Sequence, residues 1–243
     1  FASLIETHSW STVKVDRNAF QFFYRYVINR PWEWLNIVKP PQVRTLPDIL
    51  TPTEISMIIS RTKQLRYQTF FLTLYSLGLR LGEGRHLAIG DIDKALMQVH
   101  IRNAKGGKDR YITLPQRTLE ALRVYWATHR HPTWIFPSKS IISDAVIDSS
   151  GIQKALKAVV RDCPFTKRVS PHTLRHCYAT HLLELGVDLR SLQSLLGHNS
   201  LNTTARYTQL TDIRIKDTGD KIDQLANNLS IKWEVDHDSG KHY

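Results

Sequence analysis

Cysteine is almost missing from this 243-residue sequence. Cys163 and Cys177 are the only two, too few for a disulfide scaffold or a four-cysteine zinc site, and in keeping with a reducing cytosol. Long hydrophobic runs are missing as well. The most apolar stretch, Phe70 to Leu79, ends at Arg80, well short of the roughly 18 to 20 residues that a spanning helix needs. The early residues carry no signal-peptide pattern, because Lys14, Asp16 and Arg17 interrupt them before an apolar region develops. With Phe1 in place of an initiator Met, a fragment or a processed form is expected.

Acidic residues are in deficit: 22 Asp and Glu stand against 33 Lys and Arg, a formal charge of +11. The imbalance lies in residues 1 to 210, where 28 basic and 15 acidic side chains give +13, while residues 211 to 243 hold five and seven, a net of −2. Such an excess favours a polyanionic partner, since each neutralised phosphate releases counterions. A merely soluble basic surface would carry the same charge. At 42% hydrophobic and 23% charged, the remainder is that of a soluble globular protein with material for a real core, in one large domain or two small ones.

Helical spacing of Val13, Phe20, Phe23, Tyr24 and Val27 predicts a helix over residues 10 to 29. Pro31, Pro40, Pro41 and Pro47 then mark a linker. After it, Thr51-Pro52-Thr53-Glu54 is a helix start, with Thr51 as cap and Glu54 completing a capping box. A second helix runs from Arg66 to Leu77 and stops at Gly78. Residues 98 to 102 and 110 to 114 alternate as strands, and Lys105-Gly106-Gly107-Lys108-Asp109 between them supplies a hairpin tip. Helices follow over 116 to 128, 151 to 161, 171 to 185 and 188 to 196, the third capped by Ser170 and the fourth ended by Gly197. A short helix at 201 to 208 and a last one at 220 to 228 complete the reading, which is mainly α with a small antiparallel β-sheet.

Four segments place cations, and one phenol, where packing does not require them. Arg80 sits past a helix end inside an apolar run, either as a functional cation or as a surface arginine paired with Glu83. Lys105 is flanked by glycine, which permits close backbone approach to a ligand but equally makes an ordinary turn. His172, Arg175 and His176 fall within one turn of a helix N-terminus, whose dipole favours anions. The i, i+4 spacing of His172 and His176 resembles a zinc helix, but Thr173 stands where a metalloprotease needs its glutamate, so no metal is expected. Leu196-Gly197-His198 is followed nine residues later by Tyr207, on a helix where a tyrosine usually packs.

Taken in order, Gly-Leu-Arg-x-x-Glu, a glycine-flanked lysine in a hairpin, His-x-Leu-Arg-His, Leu-Gly-His and Thr-Thr-x-x-Tyr resemble the tyrosine recombinases, also called phage-type integrases. The resemblance spans about residues 47 to 210. It implies a catalytic domain over 46 to 243, preceded in residues 1 to 45 by the remnant of a helical core-binding domain that clamps DNA. Tyr207 would be the nucleophile, forming a 3′-phosphotyrosyl link and freeing a 5′-hydroxyl. Arg80 and Arg175 would hold the non-bridging oxygens, with Glu83 orienting Arg80. Lys105 would protonate the leaving oxygen, although Lys108 stands close enough to compete for that role, and His172 and His198 would complete the pocket. Arg44, Lys108 and Arg110 are the further candidates for DNA contact. Double-stranded DNA is the implied partner, a homo-tetramer on paired sites the implied assembly, and the bacterial cytoplasm, at the nucleoid, the implied location. No membrane and no cofactor are implied.

The residue types suit that chemistry in their own right. Attack on a phosphodiester builds negative charge that fixed guanidinium groups stabilise without a metal. A phenol with a pKa of about 10 needs cations and a base to become nucleophilic. Two rivals share the same features: a type IB topoisomerase, which relaxes DNA without joining two sites, and a DNA-binding protein with an idle pocket.

Overall fold

The computed structural model describes residues 7–32, 48–102, 109–139, 145–198, 200–205 and 207–208. Two compact units divide the chain, Phe1–Leu46 and Pro47–Tyr243. In the first, helix α1 (Trp10–Tyr26) begins where Ser9 Oγ accepts from Thr12 N at 3.2 Å. It ends three residues earlier than its apolar spacing predicts, and the chain leaves it through Asn29 at φ +52°. Phe20, Phe22, Phe23 and Tyr26 on this helix, and Val27 just after it, are exposed.

In the second unit, α2 (Pro52–Arg61) starts on the expected capping box. Thr51 Oγ1 accepts from Glu54 N at 3.2 Å, and Glu54 Oε2 accepts from Thr51 N at 2.8 Å. Helix α3 (Leu65–Ser76) stops before Gly78, whose φ of +58° turns the chain sharply. Two elements lie beyond what periodicity can reveal. They are α4 (Leu81–Arg85), five residues long, and strand β1 (Ile92–Asp93), two residues long and led in by a 3₁₀ turn at Ile89–Asp91. The predicted hairpin is β2 (Gln98–Ile101) and β3 (Arg110–Thr113). With β1 they form an antiparallel sheet of order β1-β2-β3, in which Val99 faces Ile112 and Ile101 faces Arg110.

Helix α5 (Gln116–Ala127) follows, then α6 (Ser149–Arg161), which begins two residues before the predicted start because Asp148 caps it, accepting from Gly151 N at 2.8 Å. Helices α7 (Pro171–Glu184), α8 (Leu189–Leu196) and α9 (Leu201–Ala205) close the described part. Ser170 caps α7, and Gly197, left-handed at φ +60°, ends α8. The predicted hairpin tip at 105 to 108, the linker around Arg44 and the helix at 220 to 228 lie outside the described residues.

One core joins α2, α3, α6, α7 and the sheet through fully buried Leu50, Ile58, Phe70, Phe71, Leu74, Val99, Phe136, Ile152 and Leu174, and α5 adds Leu119 and Leu122. Phe70 meets Phe136 edge-on at 4.9 Å between ring centroids, and burying each such ring contributes roughly 1.5–3 kcal/mol. A smaller cluster gathers Ala179 and Leu183 of α7, Leu192 and Leu196 of α8, and Tyr207. Helix α7 therefore sits between two cores and is buried on nearly every side, polar residues included. Among those, His181 donates from Nε2 to Leu50 O at 2.9 Å and accepts at Nδ1 from the Tyr75 hydroxyl at 2.8 Å. No helix among the described residues is long and apolar enough to cross a membrane.

Candidate active site

The turn at Gly78 places Arg80 immediately before α4. Glu83, in the first turn of that helix, reaches back to accept from Arg80 N at 2.9 Å and from Arg80 Nη1 at 2.6 Å. The same carboxylate accepts from both terminal nitrogens of Arg110, at 3.1 and 2.8 Å, and Arg175 Nη1 lies 3.7 Å away. Glu83 is thus a buried carboxylate that accepts from two guanidinium groups and lies within ion-pair distance of a third. Burial alone would push its pKa up, but the hydrogen bonds and charge of Arg110 and Arg80 prevail and hold it at about 2, against an ordinary 4.5.

Each arginine is also tied to main-chain carbonyls. Arg80 Nη2 donates to Gly197 O at 3.1 Å, and Arg110 Nε to Leu195 O at 2.9 Å. Arg175, on α7, donates to Gly78 O and Leu196 O, both at 2.6 Å. The end of α3 and the end of α8 are therefore stapled to one guanidinium. Burial and the charge of Arg80 draw the Arg175 pKa down to about 10, with Glu83 opposing, so Arg175 stays charged at neutral pH. Its side chain is only 4% exposed, whereas that of Arg80 is 22% exposed.

His198 follows the left-handed Gly197 and lies on Arg175, with Arg175 Nη2 donating to its Nε2 at 3.1 Å. Nε2 can accept only when it is unprotonated, so the ring is the neutral Nδ1–H tautomer and donates to Thr204 Oγ1 at 2.9 Å. Tyr207 stacks with this imidazole at 11° and 6.4 Å between centroids. It is 2% exposed, and its hydroxyl lies 2.8 Å from His176 Nδ1. Among the described residues, no group of three or more His, Cys, Asp or Glu side chains is placed to hold a metal ion. A cleft of about 600 Å³ opens beside Glu83, lined in part by His86, His100, Arg102 and Trp134.

Residues 48–214 match the phage integrase family. The chain belongs to that family. It is 38% identical over 211 residues to a candidate integrase/recombinase, y4qK, of Sinorhizobium fredii, covering 85% of this chain and 67% of that protein. It is 31% identical over 230 residues to the tyrosine recombinase XerC of Halalkalibacterium halodurans, covering 87% and 75%. Among solved structures, the XerA recombinase superposes with a TM-score of 0.63 at 25% identity, over 91% of this chain and 79% of that one. The chain is a tyrosine-type recombinase of mainly helical fold with a small antiparallel sheet, as its motif order predicts.

Within this integrase the structure brings together Arg80, Glu83, Arg175, His198 and Tyr207, which the sequence nominates. His172, three residues before Arg175 in the first turn of α7, is exposed. Lys105, Lys108 and Arg44 lie outside the described residues. Arg110, expected at the DNA, is put to another use: its side chain is 8% exposed, and Nε and both Nη atoms bond Glu83 and Leu195 O. Strand alternation carries that signal, because Arg110 shares a face with Ile112. His176, noted in the sequence but given no part in the chemistry, is the side chain on the Tyr207 hydroxyl.

Proposed function

We propose that this chain cleaves and rejoins DNA strands through a 3′-phosphotyrosyl intermediate, with Tyr207 as nucleophile and neither metal nor ATP. The observation that carries this reading is the convergence of two anchored guanidinium groups, Arg80 and Arg175, on a site where a buried tyrosine stacks with the imidazole that Arg175 bonds. Tyr207 Oη attacks phosphorus, the Oη–P bond forms and the P–O5′ bond breaks. The 5′ oxygen leaves with a proton from Lys105, the glycine-flanked lysine favoured over Lys108. Arg80 and Arg175 neutralise the charge that builds on the non-bridging oxygens, in a site where donors are already fixed and need no reorganisation. His198 adds an imidazole beside Arg175, and His172 completes the pocket. Reversal by the free 5′-hydroxyl restores the phosphodiester, so the bond energy is retained and no nucleotide cofactor is required.

The basic excess of residues 1 to 210 suits a grip on duplex DNA. Residues 1 to 45 belong to a helical domain that clamps the duplex with the catalytic domain at 46 to 243. The exposed aromatic side chains of α1 suit packing within such a domain. Recombination between two sites calls for a homo-tetramer on paired DNA, and the bacterial cytoplasm, at the nucleoid, is where the protein acts.

The test is a library of nicked duplexes randomised around the nick, with covalent complexes resolved on a denaturing gel. The native chain traps DNA and Tyr207→Phe does not. No trapped complex with the native chain, or trapping that survives Tyr207→Phe, overturns the proposal.

A further inference from the structure

Helix α8 ends against three cations. Three successive carbonyls accept from three different guanidinium groups: Leu195 O from Arg110 Nε at 2.9 Å, Leu196 O from Arg175 Nη2 at 2.6 Å and Gly197 O from Arg80 Nη2 at 3.1 Å. The carbonyl end of a helix carries partial negative charge and leaves such groups without intrahelical partners, so cations are favoured there. Arg80 and Arg175 are motif positions, and Arg110 is not. It reaches the cluster from strand β3, is 8% exposed, and commits all three nitrogens inward, since Nη1 and Nη2 donate to Glu83 at 3.1 and 2.8 Å. Burial works against the ionisation of Glu83, and the hydrogen bond and charge of Arg110 are the strongest influences opposing it. Arg110 also packs against Gly197, where a Cβ would come 3.0 Å from Nη1 and 3.1 Å from Cδ on a residue already left-handed at φ +60°. One side chain thus ties β3 to the carboxylate that holds Arg80 and to the turn that leads into His198.

We propose that Arg110 is a positioning residue of the strand-transfer site: it fixes Glu83 and the end of α8, and through them aims Arg80 and Arg175 at the scissile phosphate. This inference rests on the phosphotyrosyl chemistry proposed above. Arg110 does not itself hold phosphate, because its donors are engaged by Glu83 and Leu195 O. Its effect is carried by the groups it holds. Without it, Glu83 keeps hydrogen bonds from Arg80 alone, Leu195 O loses this donor, and the neighbouring Gly197 carbonyl that restrains Arg80 is free to shift. Guanidinium contacts to a phosphate are directional, and a misplacement of about 1 Å can cost on the order of 10²-fold in rate. Lysine in the same place retains the charge but offers one nitrogen where Arg110 uses three, so it cannot hold Glu83 and Leu195 O in the same geometry.

Single-turnover covalent trapping of a nicked duplex selected from the library above tests this, using the full chain and its Arg110→Lys and Arg110→Met variants over a range of protein concentrations. The maximal rate constant, the half-saturating concentration and the amplitude are read separately. Arg110→Met lowers the maximal rate constant about 10²-fold and leaves the half-saturating concentration within about twofold of native. Arg110→Lys falls between the two, about tenfold below native. A residue in contact with DNA would move the half-saturating concentration instead. One that only supports the fold would lower the amplitude, through the unfolded fraction, and not the rate constant. If Arg110→Met does not fold, Arg110→Lys decides by the same three readings, because it keeps a cation beside Glu83. A native maximal rate constant in Arg110→Lys, or a loss confined to the half-saturating concentration or to the amplitude, overturns this inference alone. Failure of the native chain to trap DNA overturns the phosphotyrosyl reading first, and this inference with it.

Discussion

Replacing Glu83 with Gln keeps its shape and removes its charge. The native carboxylate is 7% exposed and serves two nitrogens of Arg80 and two of Arg110. Its pKa of about 2 against 4.5 for a free carboxylate, at 1.36 kcal/mol per unit, corresponds to about 3 kcal/mol of stabilisation. Breaking a buried ion pair by removing one partner costs a similar 3–5 kcal/mol or so. In Glu83→Gln one oxygen becomes an amide that points its own donors at guanidinium donors. For a domain of this size each kcal/mol lowers Tm by about 2–4 °C, so the variant melts about 6–12 °C below native at pH 7. The pH dependence follows from the sign. A carboxylate with a depressed folded-state pKa contributes in full above its unfolded value, and the contribution declines as pH falls from about 4.5 towards 2. The gap between native and Glu83→Gln, followed by urea denaturation or thermal melting, therefore narrows below about pH 4.5. A variant that melts within about 1 °C of native at pH 7, or a gap as wide at pH 3 as at pH 7, refutes the reading of Glu83 as the hub of the arginines.

Three further outcomes are expected. Gly78→Ala destabilises the protein by several kcal/mol and also slows covalent trapping of DNA. The added methyl would meet the Tyr178 ring at 2.3 Å at a residue held at φ +58°, and the carbonyl of the same residue anchors Arg175. Gly90→Ala, with nothing within 4 Å of the new carbon, is close to neutral in the same melting and trapping assays. Covalent trapping is unchanged by millimolar chelator and by omission of ATP; a tenfold loss on adding chelator would sink the metal-free mechanism.

Most of the helices were legible because their ends carry local chemistry that survives in any context. Thr51 with Glu54, Ser170 with Pro171, and Gly197 all act within one turn of the residues they cap. Helix α4 and strand β1 were not, because five and two residues are too few for a period to show. The site divides along similar lines. Arg80, Glu83, Arg175, His198 and Tyr207 stand out as motif positions. Their convergence depends on contacts across 117 residues from Arg80 to Gly197, which no spacing rule reaches. Arg110 was visible as a strand residue on the Ile112 face, yet a buried arginine is improbable until its acceptor is known, and Glu83 lies 27 residues earlier in the chain. His176 was visible as an imidazole next to Arg175, but only the fold brings Tyr207, 31 residues later, onto its ring nitrogen.

Arg110 changes what the site does even though it is directed inward. Three guanidinium groups around one carboxylate, Arg80, Arg110 and Arg175 on Glu83, leave a net charge of +2. A phosphodiester brings about one negative charge and the pentacoordinate phosphorane about two, so the cluster is balanced by the species at the top of the barrier and left with an excess by the ground state. Mutual repulsion is already felt before DNA arrives: burial, then the charges of Arg80 and Arg110, draw the Arg175 pKa down to about 10 in spite of Glu83. On the proposed mechanism that repulsion would be relieved in two stages, partly when substrate binds and fully only as the second negative charge develops. Without Glu83 the site would hold +3 and would bind any phosphate tightly without favouring the phosphorane, besides losing its anchor. Without Arg110 the net charge would fall to +1, matched to the ground state. The buried pair of Glu83 and Arg110 thus sets the charge of a site in which, on the proposed mechanism, Arg80 and Arg175 would hold the phosphate.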